Sequence, residues 1–152
     1  MTEQEANKQL VRDYFERCWN QKDLDFGRGF IAEDYNFHME LPDGSPRGFA
    51  GWYQGVGEYL KAFPDCHWDI RQIVAEGDLV AVRTVWTGTH SAEYMGVPAT
   101  GKRVCSANVD FYRIQNGFFV EHWDVPDYLS QLKQIGGSAE GTGVMYAGST
   151  EA

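Results

Sequence analysis

Four strand-type runs in the second half of the chain limit the folds that it can form. They cover residues 67–75, 79–90, 102–114 and 118–125. The turn sequences at 76–78 and 115–117 are short enough to join their neighbours as antiparallel hairpins. Helical patterns precede these runs, and helices packed on a bent sheet leave a concave face that can hold a ligand. We therefore predict an α+β fold with a strongly curved, mostly antiparallel sheet.

The first half of the chain and its end have the spacing of amphipathic helices. Apolar residues three or four positions apart indicate a first helix: Ala6, Leu10, Val11, Tyr14, Phe15, Cys18 and Trp19. Residues 49–63 predict a second helix, and alternation at 35–41 predicts a strand before it. Pro126 is suited to begin a last helix, which Gly136 and Gly137 would end.

The length and charge of the chain restrict its organisation and its partners. A chain of 152 residues fits one domain, which we expect at residues 1–135, with the small-residue-rich tail 136–152 flexible. Thirteen basic and 22 acidic residues give a net charge of -9, which disfavours nucleic acid and anionic lipid as partners. The charge therefore favours a neutral or apolar small-molecule ligand.

Cysteine usage and the N-terminal sequence predict a cytoplasmic protein. The three cysteines, Cys18, Cys66 and Cys105, are far apart and contain no CxxC pair, so we expect reduced thiols. The sequence MTEQEANKQL opens with polar residues, and no stretch has the apolar length of a membrane span.

The last predicted hairpin carries the residues that are best suited to chemistry. Period-two alternation places His122 and Asp124 on one face of its second strand, and Glu121 and Trp123 on the other. The partners of these side chains on the first strand depend on the length of the hairpin loop.

A three-residue loop at 115–117 would group polar side chains around that face. It sets Asp110 opposite His122 and Asn108 opposite Asp124. Four polar side chains would then lie together.

A two-residue loop, Asn116-Gly117, is the alternative, and this dipeptide favours tight turns. It would set Val109 and Phe111 beside His122 and Asp124 instead. We favour the longer loop because it groups the polar residues, and we then expect Val109 and Phe111 to face the helices.

The expected polar cluster has two interpretations. In one, apolar surroundings and the charge of Asp110 raise the pKa of Asp124 above its ordinary value of about 3.9, so that the carboxyl group shuttles protons beside His122. In the other, two acids, a histidine and an asparagine face water on the open side of a sheet. The residues alone leave both interpretations open.

Other side chains are candidates for the rest of a pocket. His38 and Asn36 alternate with Phe37 and Met39, so they could bind a substrate in the same cavity or lie on a solvated strand face. Three large aromatic residues could form substrate-binding walls or an ordinary core: Trp52, Tyr53 and Trp86.

The sequence lacks the motifs of several other enzyme classes. The four histidines have no metal-ligand spacing, so we expect no metal site. There is no GxSxG elbow, no Walker loop and no GxGxxG motif after a strand. Acid/base chemistry on a small molecule remains.

Five segments of the chain carry a family pattern. They are Phe63-Pro64-Asp65, VAEGD at 74–78, WTGTH at 86–90, MGVPATGK at 95–102 and EHWD at 121–124. In order and spacing these segments resemble the SnoaL-like polyketide cyclases, over most of residues 5–135. The resemblance implies the cone-shaped α+β barrel of nuclear transport factor 2, in which N-terminal helices close a bent sheet around an internal pocket.

The resemblance also implies an activity. The best-known members of the family close a ring in a hydrophobic polyketide by an intramolecular aldol reaction, without a metal or an organic cofactor. The acid/base aspartate of that family falls on Asp124, and His122, Asn108 and Asp110 match positions that line the pocket. A homodimer through the sheet is implied as well. The same architecture carries isomerases, epoxide hydrolases, dehydratases and non-catalytic binding modules, so the fold alone does not fix the reaction.

Overall fold

The computed structural model describes residues 1–39 and 41–138. The predicted flexible tail lies outside the described residues from position 139 onward. In chain order the elements are helix α1 (Glu3–Tyr14), a π-helical segment (Phe15–Asn20), a 3-10 helix (Leu24–Gly29), strand β1 (Ile31–Asn36), helix α2 (Gly48–Ala62), strands β2 (His67–Glu76), β3 (Leu79–Thr89), β4 (Arg103–Gln115) and β5 (Phe118–Pro126), and helix α3 (Tyr128–Gln134).

The strands form one curved sheet in the order β1-β5-β4-β3-β2. Strand β1 is parallel to β5, and the other pairs are antiparallel. Register shifts at 70–72 in β2 and at 119–121 in β5 are bulges, which bend and twist a sheet. The sheet remains open, because β1 and β2 are its edges. The predicted α+β fold with a mostly antiparallel sheet is confirmed.

The N-terminal helices pack on the concave face of the sheet. Thr2 caps α1, since its hydroxyl oxygen accepts a hydrogen bond from the backbone N–H of Glu5 at 3.2 Å. The ring of Tyr14 in α1 lies 5.7 Å from that of Tyr112 in β4. Trp52 Nε1 in α2 donates to the Tyr14 hydroxyl at 3.1 Å and joins the two helices. In the part of the chain that the structure describes, no helix has the length and apolar character needed to cross a membrane.

The turn of the β4–β5 hairpin differs from the predicted one. Gln115 pairs with Phe118, so the loop contains only Asn116 and Gly117, whose φ angles are 52° and 79°. Such left-handed conformations are those that a tight two-residue hairpin turn requires. The predicted three-residue loop is therefore wrong.

A bulge beyond this turn keeps the polar side chains on one face. Val120 is the additional residue of the bulge, after which Tyr112 lies opposite His122 and Asp110 lies opposite Asp124. This register differs by two positions from the predicted one. Because side chains alternate with a period of two, the four polar residues still lie together on one face of the sheet, as predicted.

The direction of that face is the reverse of the prediction. Val109 and Phe111 are 37% and 45% exposed on the outer side of the sheet. The polar residues instead share the inner side with Val104, Tyr112 and Ile114, each 1% exposed. The helices cover this side because the neighbouring strands continue it with buried apolar residues, Val80, Val82 and Trp86 of β3 and Phe119 of β5.

Two predicted boundaries are also wrong. Strand β1 ends at Asn36, and His38 has a left-handed φ of 43°, which breaks the alternation expected for 35–41. Pro126 ends β5 rather than beginning α3. Asp127 is the N-cap of α3, and its carboxylate accepts from the backbone N–H of Ser130 at 3.0 Å.

Candidate active site

A cavity of about 290 Å³ lies between the concave face of the sheet and the helices. This volume is at the lower end of the range for small-molecule sites, about 300–1,000 Å³. Most of its wall is aromatic. The rings belong to Tyr14, Phe15, Trp19, Tyr35, Phe37, Trp52, Tyr59, Trp68, Trp86, Tyr94, Tyr112 and Tyr128. Such a wall suits a planar, apolar ligand.

One polar cluster interrupts the aromatic wall. Asp110 is at its centre: Oδ1 lies 2.8 Å from His122 Nε2, and Oδ2 accepts from Asn108 Nδ2 at 2.9 Å. Asp124 lies opposite Asp110 on the neighbouring strand. The cluster therefore combines residues from β4 and β5 in a largely buried site.

Stacked rings fix the orientation of His122. Its imidazole lies 4.6 Å from the ring of Tyr112 and 6.3 Å from that of Tyr35, with interplanar angles of 12° and 6°. Because the Asp110 carboxylate accepts, Nε2 carries a proton. The ring thus stacks with two tyrosines and has Nε2 directed at Asp110.

The surroundings raise the pKa of Asp124 and of His122. For Asp124 the main cause is burial, and the charge of Asp110 adds to it while that of His122 opposes it. Burial alone would lower the pKa of His122, but the hydrogen bond and charge of Asp110 outweigh that effect. A carboxyl group with a raised pKa in a cavity is a candidate general base.

Metal coordination is a second capacity of the same side chains. Among residues 1–39 and 41–138, Asp110, His122 and Asp124 form a group whose ligating atoms all lie within 4.8 Å of one another. One imidazole and two carboxylates are ligands that divalent ions accept. Sequence spacing did not reveal this set, because the three residues come together through strand pairing.

Tyrosines are the site residues that sequence reasoning largely missed. Burial raises the pKa of Tyr14, Tyr35 and Tyr112, so their hydroxyl groups stay protonated at neutral pH. Tyr112 alternates with Asn108 and Asp110 along β4, and that period of two was the available signal.

A second hydrogen-bonded group belongs to the same lining. The Tyr94 hydroxyl donates to Gln131 Oε1 at 2.8 Å, and Gln131 Nε2 donates to Ser106 Oγ at 3.1 Å. These contacts join α3 to β4 and to the segment before β4.

The structure brings most of the predicted site residues to the cavity. The lining includes Asp124, His122, Asn108, Asp110, Trp52 and Trp86. Tyr53 is not part of it, since its ring packs 5.8 Å from that of Phe49 with the guanidinium of Arg28 above it.

His38 and Asn36 also lie outside the cavity. His38 Nε2 is 2.7 Å from Glu121 Oε1, and its ring stacks 4.8 Å from that of Trp123. Asn36 Nδ2 lies 3.3 Å from the same histidine nitrogen. Because β1 ends at Asn36, the residues that reach the cavity from the next segment are Phe37, Met39 and Leu41 instead.

Comparisons with known proteins agree with this fold. The model of the SnoaL-like polyketide cyclase family matches residues 9–135. The aklanonic acid methyl ester cyclase DnrD of Streptomyces peucetius is 31% identical over 72 residues, which cover 47% of this chain and 50% of that protein. The nogalonic acid methyl ester cyclase of Streptomyces nogalater is 29% identical over 108 residues, or 70% of this chain and 81% of that protein.

A solved structure extends the comparison. Wild-type IdmH of Streptomyces antibioticus is 36% identical, with a TM-score of 0.74 over 86% of this chain and 98% of that chain. The family match covers far more than half of the sequence. The chain therefore belongs to the SnoaL-like polyketide cyclase family.

Proposed function

We propose that this protein is a cofactor-independent cyclase that closes a ring in a polyketide ester by an intramolecular aldol reaction. The observation that carries the proposal is Asp124, a carboxyl group with a raised pKa in an aromatic cavity, beside the His122–Asp110 pair. The names of DnrD and the Streptomyces nogalater relative support a polyketide methyl ester as substrate.

In the proposed mechanism Asp124 removes the proton from a carbon between two carbonyl groups. Protonated His122 keeps its Nε2–H on Asp110 and donates a hydrogen bond from Nδ1–H to the enolate oxygen. The enolate carbon then attacks a second carbonyl of the same molecule, and one C–C bond forms. The resulting alkoxide takes back the proton from Asp124, so the reaction is an isomerisation that needs no oxidant or reductant. The aromatic wall folds the substrate so that the two carbons approach each other.

The test compares the wild type with Asp124→Asn on aklanonic and nogalonic acid methyl esters, with ring closure followed by chromatography. We expect the variant to lose about a hundred- to ten-thousand-fold in rate. Glu121→Gln is the matched control, because it neutralises a carboxylate on the outer face of the same strand and should retain activity. Unchanged turnover in Asp124→Asn would contradict the role of this residue.

Two further arms separate the alternatives. Proton NMR in deuterated water detects exchange at the acidic carbon of a dicarbonyl compound even if no ring closes, which would favour another proton-transfer reaction. Binding without exchange would favour a carrier. Activity that disappears with EDTA and returns with a divalent ion would contradict cofactor independence and assign Asp110, His122 and Asp124 to a metal.

We also propose a homodimer through the outer face of the β4–β5 hairpin. Val109, Phe111 and Val125 are 37%, 45% and 74% exposed there, and Val109 pairs directly with Val125. In light scattering, Phe111→Asp should yield a monomer while Val74→Asp, at an exposed site on β2, should leave a dimer. A monomeric wild type would contradict this proposal.

A cytoplasmic location is consistent with the buried free thiols of Cys18 and Cys66, which suit a reducing compartment. Fractionation of producing cells tests it.

A further inference from the structure

Tyr128 is the first residue of α3, and its side chain belongs to the wall of the cavity. It follows Asp124 and Pro126, which line the same cavity from the end of β5. The helix that carries it is fixed to the sheet. Gln134 donates to the carbonyl of Cys105 in β4 and accepts from the N–H of the same residue, at 2.8 Å each. The ring of Tyr128 therefore has a defined place beside Asp124.

The hydroxyl group of Tyr128 is free to donate a hydrogen bond. Within the part of the chain that the structure describes, it has no hydrogen-bond partner, and its oxygen is not one of the fully enclosed polar atoms that lack a partner. The oxygen therefore keeps accessible surface. Other tyrosines of the wall are engaged by the protein: the Tyr14 hydroxyl accepts from Trp52, and the Tyr94 hydroxyl donates to Gln131.

The accessible side of the Tyr128 hydroxyl group is the cavity. Burial raises the pKa of Tyr128 to about 12, and the charges of Asp124 and Asp110 add to that effect. Burial also raises the pKa of Tyr94 and of Tyr59, and Tyr128 adds to both shifts. All four of these residues line the cavity. An oxygen that interacts with all of them lies on the cavity side of its ring, and its raised pKa keeps the proton on it at neutral pH.

The proposed aldol reaction makes two oxygens negative in turn. The first is the enolate oxygen, for which His122 is the donor. The second belongs to the carbonyl group that the enolate attacks, and it becomes an alkoxide as the C–C bond forms. Tyr35 and Tyr112 stack on His122, so they lie on the enolate side. Asp124 comes between His122 and Tyr128 in the chain, as the carbon that it deprotonates lies between the two oxygens.

We propose that Tyr128 is a further catalytic residue, whose hydroxyl group donates a hydrogen bond to the carbonyl oxygen that the enolate attacks. The inference rests on the proposed function, since it assigns a donor to the second step of that reaction. The hydrogen bond strengthens as the oxygen becomes negative, so it stabilises the transition state of C–C bond formation. No bond of Tyr128 breaks, because the alkoxide takes its proton from Asp124.

The test separates removal of the proton from closure of the ring. Aklanonic and nogalonic acid methyl esters are incubated in deuterated water, with closure followed by chromatography and deuterium in the recovered ester by mass spectrometry. In Tyr128→Phe we expect closure to slow about a hundred- to a thousand-fold, the usual cost of one oxyanion donor. Deuterium should enter the recovered ester at least as fast as with the wild type, because an enolate that does not close returns to the substrate.

A substrate that cannot close checks that the variant is folded and that its base is intact. Methyl benzoylacetate has an acidic carbon between two carbonyl groups but no further carbonyl group to attack. The wild type and Tyr128→Phe should exchange this carbon equally fast. The urea midpoint of Tyr128→Phe should also stay near that of the wild type, because its hydroxyl group has no protein partner to lose. Tyr128→Leu gives the same comparison if the phenylalanine variant does not fold.

Tyr53→Phe is the matched control. The ring of Tyr53 packs on Phe49 outside the cavity, so removal of its hydroxyl group should leave both closure and exchange unchanged.

Two results would overturn the inference. One is closure by Tyr128→Phe at a rate within about two-fold of the wild type. The other is a folded variant that loses exchange of methyl benzoylacetate together with closure, because Tyr128 would then act with Asp124 in the first step. The proposed function fails separately: a wild type that closes no ring rejects the cyclase, and the role of Tyr128 falls with it.

Discussion

Two histidine–carboxylate pairs lie on opposite faces of strand β5, and their contacts are almost identical. His122 is 2.8 Å from Asp110 on the inner face, and His38 is 2.7 Å from Glu121 on the outer face. The inner side chains are 16% and 4% exposed, whereas the outer ones are 22% and 26% exposed. The distance between the partners therefore does not tell which pair is suited to chemistry.

The difference lies in what surrounds each carboxylate. Burial disfavours the ionised form of Glu121, but hydrogen bonds from Arg113 and His38 outweigh it and lower its pKa. Arg113 also pairs with Asp78 at 2.8 Å, so a permanent cation bridges two carboxylates of the outer network. Among the described residues that line the cavity there is no arginine or lysine, and Asp124 there has a raised pKa. A carboxyl group in a cavity without a permanent cation beside it is suited to proton transfer, and the outer carboxylates held by Arg113 are not.

Removing the inner carboxylate should have the largest effect. In Asp110→Ala, His122 and Asn108 lose a buried partner, and we expect the free energy of unfolding to fall by about 3 kcal/mol. Glu121→Ala should cost about 1 kcal/mol or less, because the outer pair is partly solvated. Urea denaturation of the two variants measures the contrast. Equal losses would remove the distinction between the faces.

The pH dependence of ring closure should separate the pairs next. Activity should rise as Asp124 ionises, above the ordinary aspartate range, and fall as His122 loses its proton, above the ordinary histidine range. Asp110 raises both pKa values, so Asp110→Asn should shift both limbs of the profile to lower pH. Glu121→Gln should leave both limbs in place. If the two limbs do not move in Asp110→Asn, Asp124 and His122 are not the source of the pH dependence.

Stability should follow the same titrations. Because the folded pKa of His122 is raised, its contribution is fully present below the ordinary value of about 6.5 and is lost as the pH rises through the folded value. Asp124, also raised, loses its contribution over a lower range that begins near pH 4. Urea midpoints across pH should therefore decline less with rising pH in Asp110→Asn than in the wild type.

Breaking the outer pair should have a smaller effect that falls on substrate binding. His38 lies between Phe37 and Met39 in the sequence, and both of these neighbours line the cavity. In His38→Ala we expect KM to rise a few-fold with kcat nearly unchanged, because the reacting residues are not touched. Steady-state kinetics measures this split. A large loss of kcat would instead place His38 within the reaction.

Salt should have the smallest effect. The loss of stability in Glu121→Gln should shrink as the ionic strength rises from 0.05 to about 0.5 M, because exposed charges are screened. The loss in Asp110→Asn should change little over the same range, because the inner pair is buried. If the loss of stability changes with ionic strength to the same extent in both variants, the two pairs are equally solvated.

The sequence predicted which residues share a face better than it predicted where that face points. The period of two correctly separated His122 and Asp124 from Glu121 and Trp123. It could not reveal the bulge at Val120, which depends on how the two-residue turn fits the rest of the hairpin. The choice of inner and outer side depends on the apolar residues that the neighbouring strand β3 places on the same side, such as Val80, Val82 and Trp86, and the hairpin alone does not contain that information.

The positions of His38 and of the tyrosines had weaker signals. The alternation at 35–41 suggested a strand, but the backbone of His38 turns into the left-handed region and redirects the side chain. A tyrosine in an amphipathic pattern resembles any core aromatic residue. Whether its hydroxyl group borders a cavity is decided by tertiary packing, which local periodicity does not contain.

Strand β5 joins residues from distant parts of the chain, and this arrangement has a consequence for folding. Ile31 in β1 pairs with Phe119, nearly ninety positions later, so this parallel contact closes a long loop and should form late. A slip of β1 by one residue at that stage would turn Tyr35 away from His122 on the inner face and move His38 away from Glu121 on the outer face. The two faces thus act as a double check on the alignment of β1, and a chain that has lost one of these contacts should populate misaligned, slowly refolding species.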